Sequence, residues 1–198
     1  MAQATAIRLS GERLTVADVW AVACRGAHAE LFDESRGKMR AARELVERAA
    51  HGSREHTYGV NTGFGRFVNR SIPEELTEEL QLRLLRSHAC GVGDPYPDEI
   101  VRAAMLLRAN ALAKGTSGAR IETVELLIEL LNRGVLPYVP SRGSVGASGD
   151  LAPLAHLALP LIGEGETIVD GERVASADAR DRLANAVTSA PADRSAGR

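Results

Sequence analysis

The sequence predicts a mainly α-helical fold with small β-hairpins, and three observations predict it. Apolar residues recur three and four positions apart over most of the chain, which places them on one face of a helix. The periodic stretches are bounded by helix start and stop signals, and the extended segments between them are short and turned by glycine. With 198 residues and 44% hydrophobic composition, the chain is long enough for one domain with a real core, or one and a half by the usual length prior.

Taken in order, "AIRLSGERLTV" alternates apolar and polar residues around Gly11, as a small hairpin does. Thr15 followed by Asp18 has the form of an N-terminal helix cap, so a first helix is expected through Trp20 to about Leu31. A second helix is expected from Ser35 to near Gly52, with Met39, Ala42, Leu45, Val46 and Ala49 on its inner face. "YGVNTGFG", Tyr58 to Gly65, holds three glycines in eight residues and reads as a loop of backbone turns. Ser71 and Pro73 then start a helix on which Leu76, Leu80 and Leu84 form an i, i+4 row, and His88 is the next position on that row.

After "GVGDPYP" a helix is expected from Asp98 to Lys114, and "TSG" separates it from another whose Ile121, Val124, Ile128 and Leu131 face inward before Gly134. "VLPYVP" is held extended by its prolines and leads to Ala147-Ser148-Gly149. Asp150 can cap the helix that follows, with Pro153 tolerated in its first turn. "TIVDGERV" is a two-residue hairpin signal, because Asp-Gly accepts the positive φ angles of a type I′ turn. From about Ala177 the chain is small and polar and has too little apolar surface to offset the entropy of ordering, so residues 1–176 are expected to form the folded domain and 177–198 a disordered tail.

A formal net charge of -2 offers no basic excess for a phosphate backbone, so neither nucleic acid nor an acidic membrane surface is an expected partner. Cys24 and Cys90 lie far apart without metal-ligand spacing, which argues against a zinc site or disulfide framework and for buried thiols in a reducing compartment. The start has no basic region followed by an apolar core, and no window approaches the roughly 18 apolar residues of a membrane span. A cytoplasmic location is expected.

The stretch "GSVGASGDLAPLAH" carries the chemistry. Ala147-Ser148-Gly149 alone reads as an N-cap turn. The same residues in a tight bend can do more: the Gly149 amide nitrogen can attack the Ala147 carbonyl, closing a five-membered ring, and glycine leaves that nitrogen unhindered. Loss of water from the ring and of the Ser148 hydroxyl as a second water leaves an exocyclic methylene conjugated to an imidazolone, an electrophile that ordinary side chains do not supply. At a helix N-terminus the macrodipole stabilises the negative charge that develops as a nucleophile adds.

This stretch resembles the signature of the histidine and aromatic amino acid ammonia-lyases. "YGVNTGFG", "LQLRLLRSHACGVGDPYP", "MLLRANALAKGTSG" and "GEGE" resemble that family too, in its usual order, over about Thr57 to Val174. The resemblance implies the N-terminal domain of the ammonia-lyase (fumarase/aspartase-like) fold and the cofactor 4-methylideneimidazol-5-one (MIO), made from Ala147, Ser148 and Gly149, with no metal. It implies that Tyr58 is the base that takes the β-proton of the substrate. A phenol titrates near 10 in water, so such a site must stabilise the phenolate. His88 would face the substrate side chain; phenylalanine-selective relatives tend to be apolar there, whereas an imidazole can hydrogen-bond a substrate imidazole or phenol.

"SHACGVGDPYP" with "LLRANALAKG" most resembles bacterial histidine ammonia-lyases, so L-histidine deaminated to urocanate and ammonia is the expected reaction. Tyrosine ammonia-lyase or aminomutase is the alternative, and a non-catalytic binding remnant or partner subunit the reading of another class. The substrate amine adds to the methylidene carbon, or in another version its ring does; the residues serve either route. Asn61 and Thr62 are expected to shape the loop, and His28, His51, His56 and His156 have no expected catalytic role. Relatives continue through a long central helical bundle and assemble as homotetramers. The expectation is therefore a truncated or split form, inactive alone, with uncovered apolar helix faces and a possible complementary C-terminal chain.

Overall fold

The N-terminal segments differ from their sequence reading in an informative way. In the computed structural model, which describes residues 6–51, 56–144 and 149–179, strand β1 (Ile7–Leu9) makes no hairpin around Gly11. It pairs in parallel with β2 (Ala29–Leu31), Ile7 opposite Ala29 and Leu9 opposite Leu31. Gly11 instead seats against the end of a later helix: its N–H donates to Asn110 Oδ1 at 3.0 Å, and a Cβ there would lie 2.3 Å from Lys114 Cα. Helix α1 (Val16–Arg25) has the expected capping box, with Asp18 N donating to Thr15 Oγ1 and Thr15 N to Asp18 Oδ2. It stops well short of Leu31, because Gly26 takes the left-handed conformation at φ +68 and releases the chain into β2. Asn132 then holds β2 through both the N–H and the C=O of Ala29, each at 2.9 Å.

The remaining helices fall where periodicity places them: α2 (Asp33–Ala50), α3 (Glu74–His88), α4 (Asp98–Ala113) and α5 (Ile121–Asn132). Helix α4 packs against α1 and α5, and Val22, Met39, Met105, Leu106, Leu127 and Leu131 are almost wholly buried there. Arg102 clasps this layer by donating to Val22 O at 2.9 and 3.1 Å and to Leu131 O at 3.3 Å, near the C-terminal turns of two helices where a cation is favoured. Leu45, expected on the inner face of α2, is exposed. Both cysteines are exposed as well, contrary to the expectation of buried thiols. Cys24 follows the buried Val22 and Ala23 and turns away from the core, and Cys90 lies in the turn after α3.

Strand β3 (Val92–Pro95) runs antiparallel to β5 (Pro140–Arg142), while β4 (Leu136–Pro137), β6 (Glu166–Val169) and β7 (Glu172–Ala175) make a three-stranded sheet. The β6–β7 hairpin turns at Asp170 and Gly171 with φ +52 and +81, the left-handed pair expected of Asp-Gly. Helix α6 (Leu151–Ala158) packs on α3. Residues 176–179 are helical and Ala179 is buried, so the first residues of the expected tail join the core; 180–198 lie outside the described residues. Among the described residues no helix is long and apolar enough to cross a membrane.

Candidate active site

Tyr58 rides on a loop built by its own backbone. Val60 and Asn61 N–H groups both donate to Thr57 O, at 3.0 and 3.2 Å, and Gly59 takes φ +74 to let the chain turn. Asn61 is the fastener: its Oδ1 accepts from Thr57 N at 2.7 Å and its Nδ2 donates to Ala49 O at 3.1 Å, tying the loop to the last turn of α2. Thr62, almost fully buried, accepts from Gly59 N and donates to Gly63 O. Gly63 has no room for a side chain, since a Cβ would meet Phe67 Cβ at 2.6 Å and Phe67 O at 2.9 Å. The Asn-Thr pair and the glycines therefore shape the loop, as their residue types suggest.

The Tyr58 side chain stands 60% exposed, edge-on to Phe64 with ring centroids 5.8 Å apart. Its phenolic oxygen accepts from Gly65 N at 3.3 Å. That amide is a fixed donor aimed at the atom that would carry charge in a phenolate. Gln81 of α3 donates to Gly59 O at 3.2 Å, so the loop is also registered on the helix that ends at His88. Nothing in the sequence singled out Gln81; it lies seven residues before His88, about 10 Å along the helix axis at 1.5 Å per residue.

His88 is half-buried at the last position of α3, with Nδ1 2.9 Å from Leu84 O. A carbonyl only accepts, so this contact assigns the proton to Nδ1 and leaves the Nε2 of a neutral ring as an acceptor. Ser87 Oγ shares Leu84 O at 2.9 Å and stands 3.0 Å from the same Nδ1. The ring is thus oriented by its own helix. No α3 residue is fully buried; Leu76 of its apolar row is 46% exposed, whereas Leu80 and Leu84 are half-buried.

Ala147 and Ser148 lie outside the described residues. Gly149 is described, exposed, with φ +102 and nothing within 4 Å of the place a Cβ would take. Such a φ is reserved for glycine, and the nitrogen expected to close the ring has no side chain beside it. Asp150 occupies the N-cap of α6 but makes no side-chain cap hydrogen bond; Gly149 O takes the Leu151 N–H at 3.1 Å instead. His156, for which the sequence gives no expected catalytic role, makes a structural contact: its Nε2 accepts from Gly91 N at 3.0 Å, and burial holds its pKa below the ordinary value. The available signal was helical spacing, since His156 lies four residues after the buried Ala152.

A cleft of about 620 Å³ between α2 and α3 is lined by Gly59, Val60, Glu74 and Gln81, but by none of Tyr58, His88 or Gly149. It abuts the loop that carries Tyr58 without including the phenol, and its size is no argument for a substrate site. At its rim His51 bridges Glu74, the first residue of α3, and Glu47 of α2, and these carboxylates raise its pKa, Glu74 more strongly.

Three comparisons bear on this arrangement. A profile described as aromatic amino acid lyase matches residues 14–191. A histidine ammonia-lyase of Symbiobacterium thermophilum is 53% identical over 173 residues, which are 87% of this chain and 34% of that protein. Among solved structures, a histidine ammonia-lyase from Trypanosoma cruzi superposes with a TM-score of 0.81 at 38% identity, over 91% of this chain and 34% of the other. A tyrosine aminomutase from Streptomyces globisporus superposes with 0.84 at the same 38%, over 90% and 33%. The chain spans about a third of the length of the curated relatives it matches.

Proposed function

Because the chain belongs to the aromatic amino acid lyase family, we propose that it supplies the electrophile-forming and proton-abstracting part of a histidine ammonia-lyase. The observation that carries this reading is the 53% identity to a histidine ammonia-lyase, a carbon–nitrogen lyase, over 87% of the chain. The substrate is L-histidine and the products are urocanate and ammonia.

The proposed MIO derives from Ala147, Ser148 and Gly149. The glycine-only backbone at Gly149 fits the ring closure, because φ +102 is open to glycine alone and the space a side chain would take is empty among the described residues. When formed, the group supplies an electrophilic carbon that draws electron density from the substrate. Helix α6 presents its N-terminus there, and its positive end favours the developing negative charge.

Tyr58 takes the β-proton, and Gly65 N donates to its oxygen. Asn61 and Gln81 hold the loop so that the phenol keeps one position relative to α3. His88 offers Nε2 as an acceptor to the imidazole N–H of the substrate, its own Nδ1 proton being committed to Leu84 O. The exposed phenol and the exposed Leu76 of α3 support assembly, with polypeptide beyond this stretch and with further copies in a homotetramer, as the step that excludes water. A cytoplasmic setting suits this metabolic reaction.

The test is ammonia release and the ultraviolet absorbance of urocanate from L-histidine, with L-tyrosine in parallel, using the whole protein. Turnover of histidine that is abolished by Ser148→Ala is the expected result. Ammonia from tyrosine alone would overturn the substrate, and conversion to a β-amino acid without ammonia would make the protein an aminomutase. The equal identity to the aminomutase structure keeps that second outcome a real arm of the experiment.

A further inference from the structure

Gly91 is the point where three segments of the site meet. It follows His88 by three residues in the turn that leaves α3, where Cys90 N donates to His88 O at 2.9 Å. From one side Gly143, just after β5, presses on it so closely that a Cβ on Gly143 would lie 2.7 Å from Gly91 Cα. From the other side His156 of α6 accepts the Gly91 N–H at 3.0 Å. A Cβ on Gly91 itself would meet His156 Nε2 at 3.0 Å and Pro140 Cβ at 3.2 Å, so the packing around this glycine is closed.

Gly143 and His156 flank Ala147-Ser148-Gly149 on its two sides. Both flanks of the tripeptide are thus referred to one residue, and that residue belongs to the turn carrying His88. The Gly143 contact is steric and works at short range only. The His156 contact is directional and is the polar part of the clamp.

We propose that His156 is a positioning residue: by accepting the Gly91 N–H it registers helix α6 against the His88 turn, and with it Gly149 just before that helix, whose nitrogen the proposed ring closure uses. The inference rests on the reading of that tripeptide given above. Acceptance by Nε2 requires the neutral ring with its proton on Nδ1, which the half-buried environment of His156 favours. The role needs an acceptor lone pair at this place. It does not need imidazole basicity, so a glutamine, whose side-chain oxygen can accept, can serve and a leucine cannot.

The experiment compares the wild type with His156→Leu and His156→Gln by two readouts that do not require turnover. One is amide hydrogen exchange at Gly91, and the other is the intact mass followed over time, which falls by two waters as the tripeptide cyclises and dehydrates. The expected result is exchange at Gly91 about tenfold faster in His156→Leu, the loss of one anchoring hydrogen bond, together with slower mass loss, and recovery of both in His156→Gln. Unchanged Gly91 exchange in His156→Leu, or leucine and glutamine variants alike in both readouts, overturns the proposal. A wild-type mass that stays at the translated value refutes maturation at Ala147-Ser148-Gly149 instead, and Gly91 exchange then decides the anchor by itself.

Discussion

Gly143→Ala tests the packing beneath the site most directly. Gly143 has φ +145, a conformation that L side chains rarely adopt, and an added Cβ would stand 2.7 Å from Gly91 Cα, 3.3 Å from Gly91 N and 3.6 Å from Cys90 O. Two costs add. Holding a non-glycine residue in a sparsely populated backbone region costs about 1–3 kcal/mol, and forcing an extra carbon into a filled space costs about 1–3 kcal/mol. Replacing glycine stiffens the unfolded chain and returns about 0.4–1 kcal/mol. The net expectation is a loss of about 3 kcal/mol. Gly26→Ala is the control, because Gly26 has φ +68 but nothing within 4 Å, so it carries a left-handed backbone cost of about 1–2 kcal/mol without the crowding. Urea unfolding of the two variants, with matching m-values, isolates the difference. A Gly143→Ala protein as stable as Gly26→Ala would mean that the contact with Gly91 yields freely, and the clamp at that residue would be refuted.

Two further outcomes follow from the site. Tyr58→Phe removes an exposed hydroxyl whose neighbour in the fold is Gly65 N, so stability should stay within about 0.5 kcal/mol, while deamination by the whole protein should fall at least about a hundredfold; a variant that keeps full turnover would remove Tyr58 from the reaction. His51 has its pKa raised above 6.5 by Glu74 and then Glu47, so the stability it contributes is fully present below that value and is lost as pH rises through the folded-state pKa. The melting temperature of the wild type should therefore exceed that of His51→Gln in mild acid and match it in alkaline buffer, and a gap that grows with pH would show the sign to be wrong.

Several turns and caps were legible from local signals, although Gly26 ends α1 well before the expected Leu31 and Asp150 makes no side-chain cap on α6. Thr15 with Asp18, the row from Val124 to Leu131 and Asp170-Gly171 each specify their geometry within a few residues, and each forms as its chemistry requires. The hairpin expected around Gly11 does not form because competing partners lie farther along the chain. Ile7 and Leu9 find β2, and Gly11 is claimed by Asn110, ninety-nine residues away. Strand pairing and burial are decided by such distant neighbours, which explains Leu45 and both cysteines: each has a residue type suited to a core and a position that the fold leaves outside.

The site divides along the same line. Tyr58 and His88 could be nominated from motifs because their chemistry belongs to the side chain itself, and Gly149 because the proposed ring closure uses a backbone nitrogen that only glycine leaves unhindered. What orients them is carried by residues of ordinary type. Gln81 reaches Gly59 O, Leu84 O fixes the tautomer of His88, and His156 has no expected catalytic role until its partner is found at Gly91, sixty-five positions earlier. Reactivity is written in residue identity, whereas positioning is written in pairs, and one member of a pair means little without the other. A catalytic arrangement held by backbone carbonyls and amides tolerates many side chains around it, so its positioning residues are found by following hydrogen bonds outward from the reacting atoms.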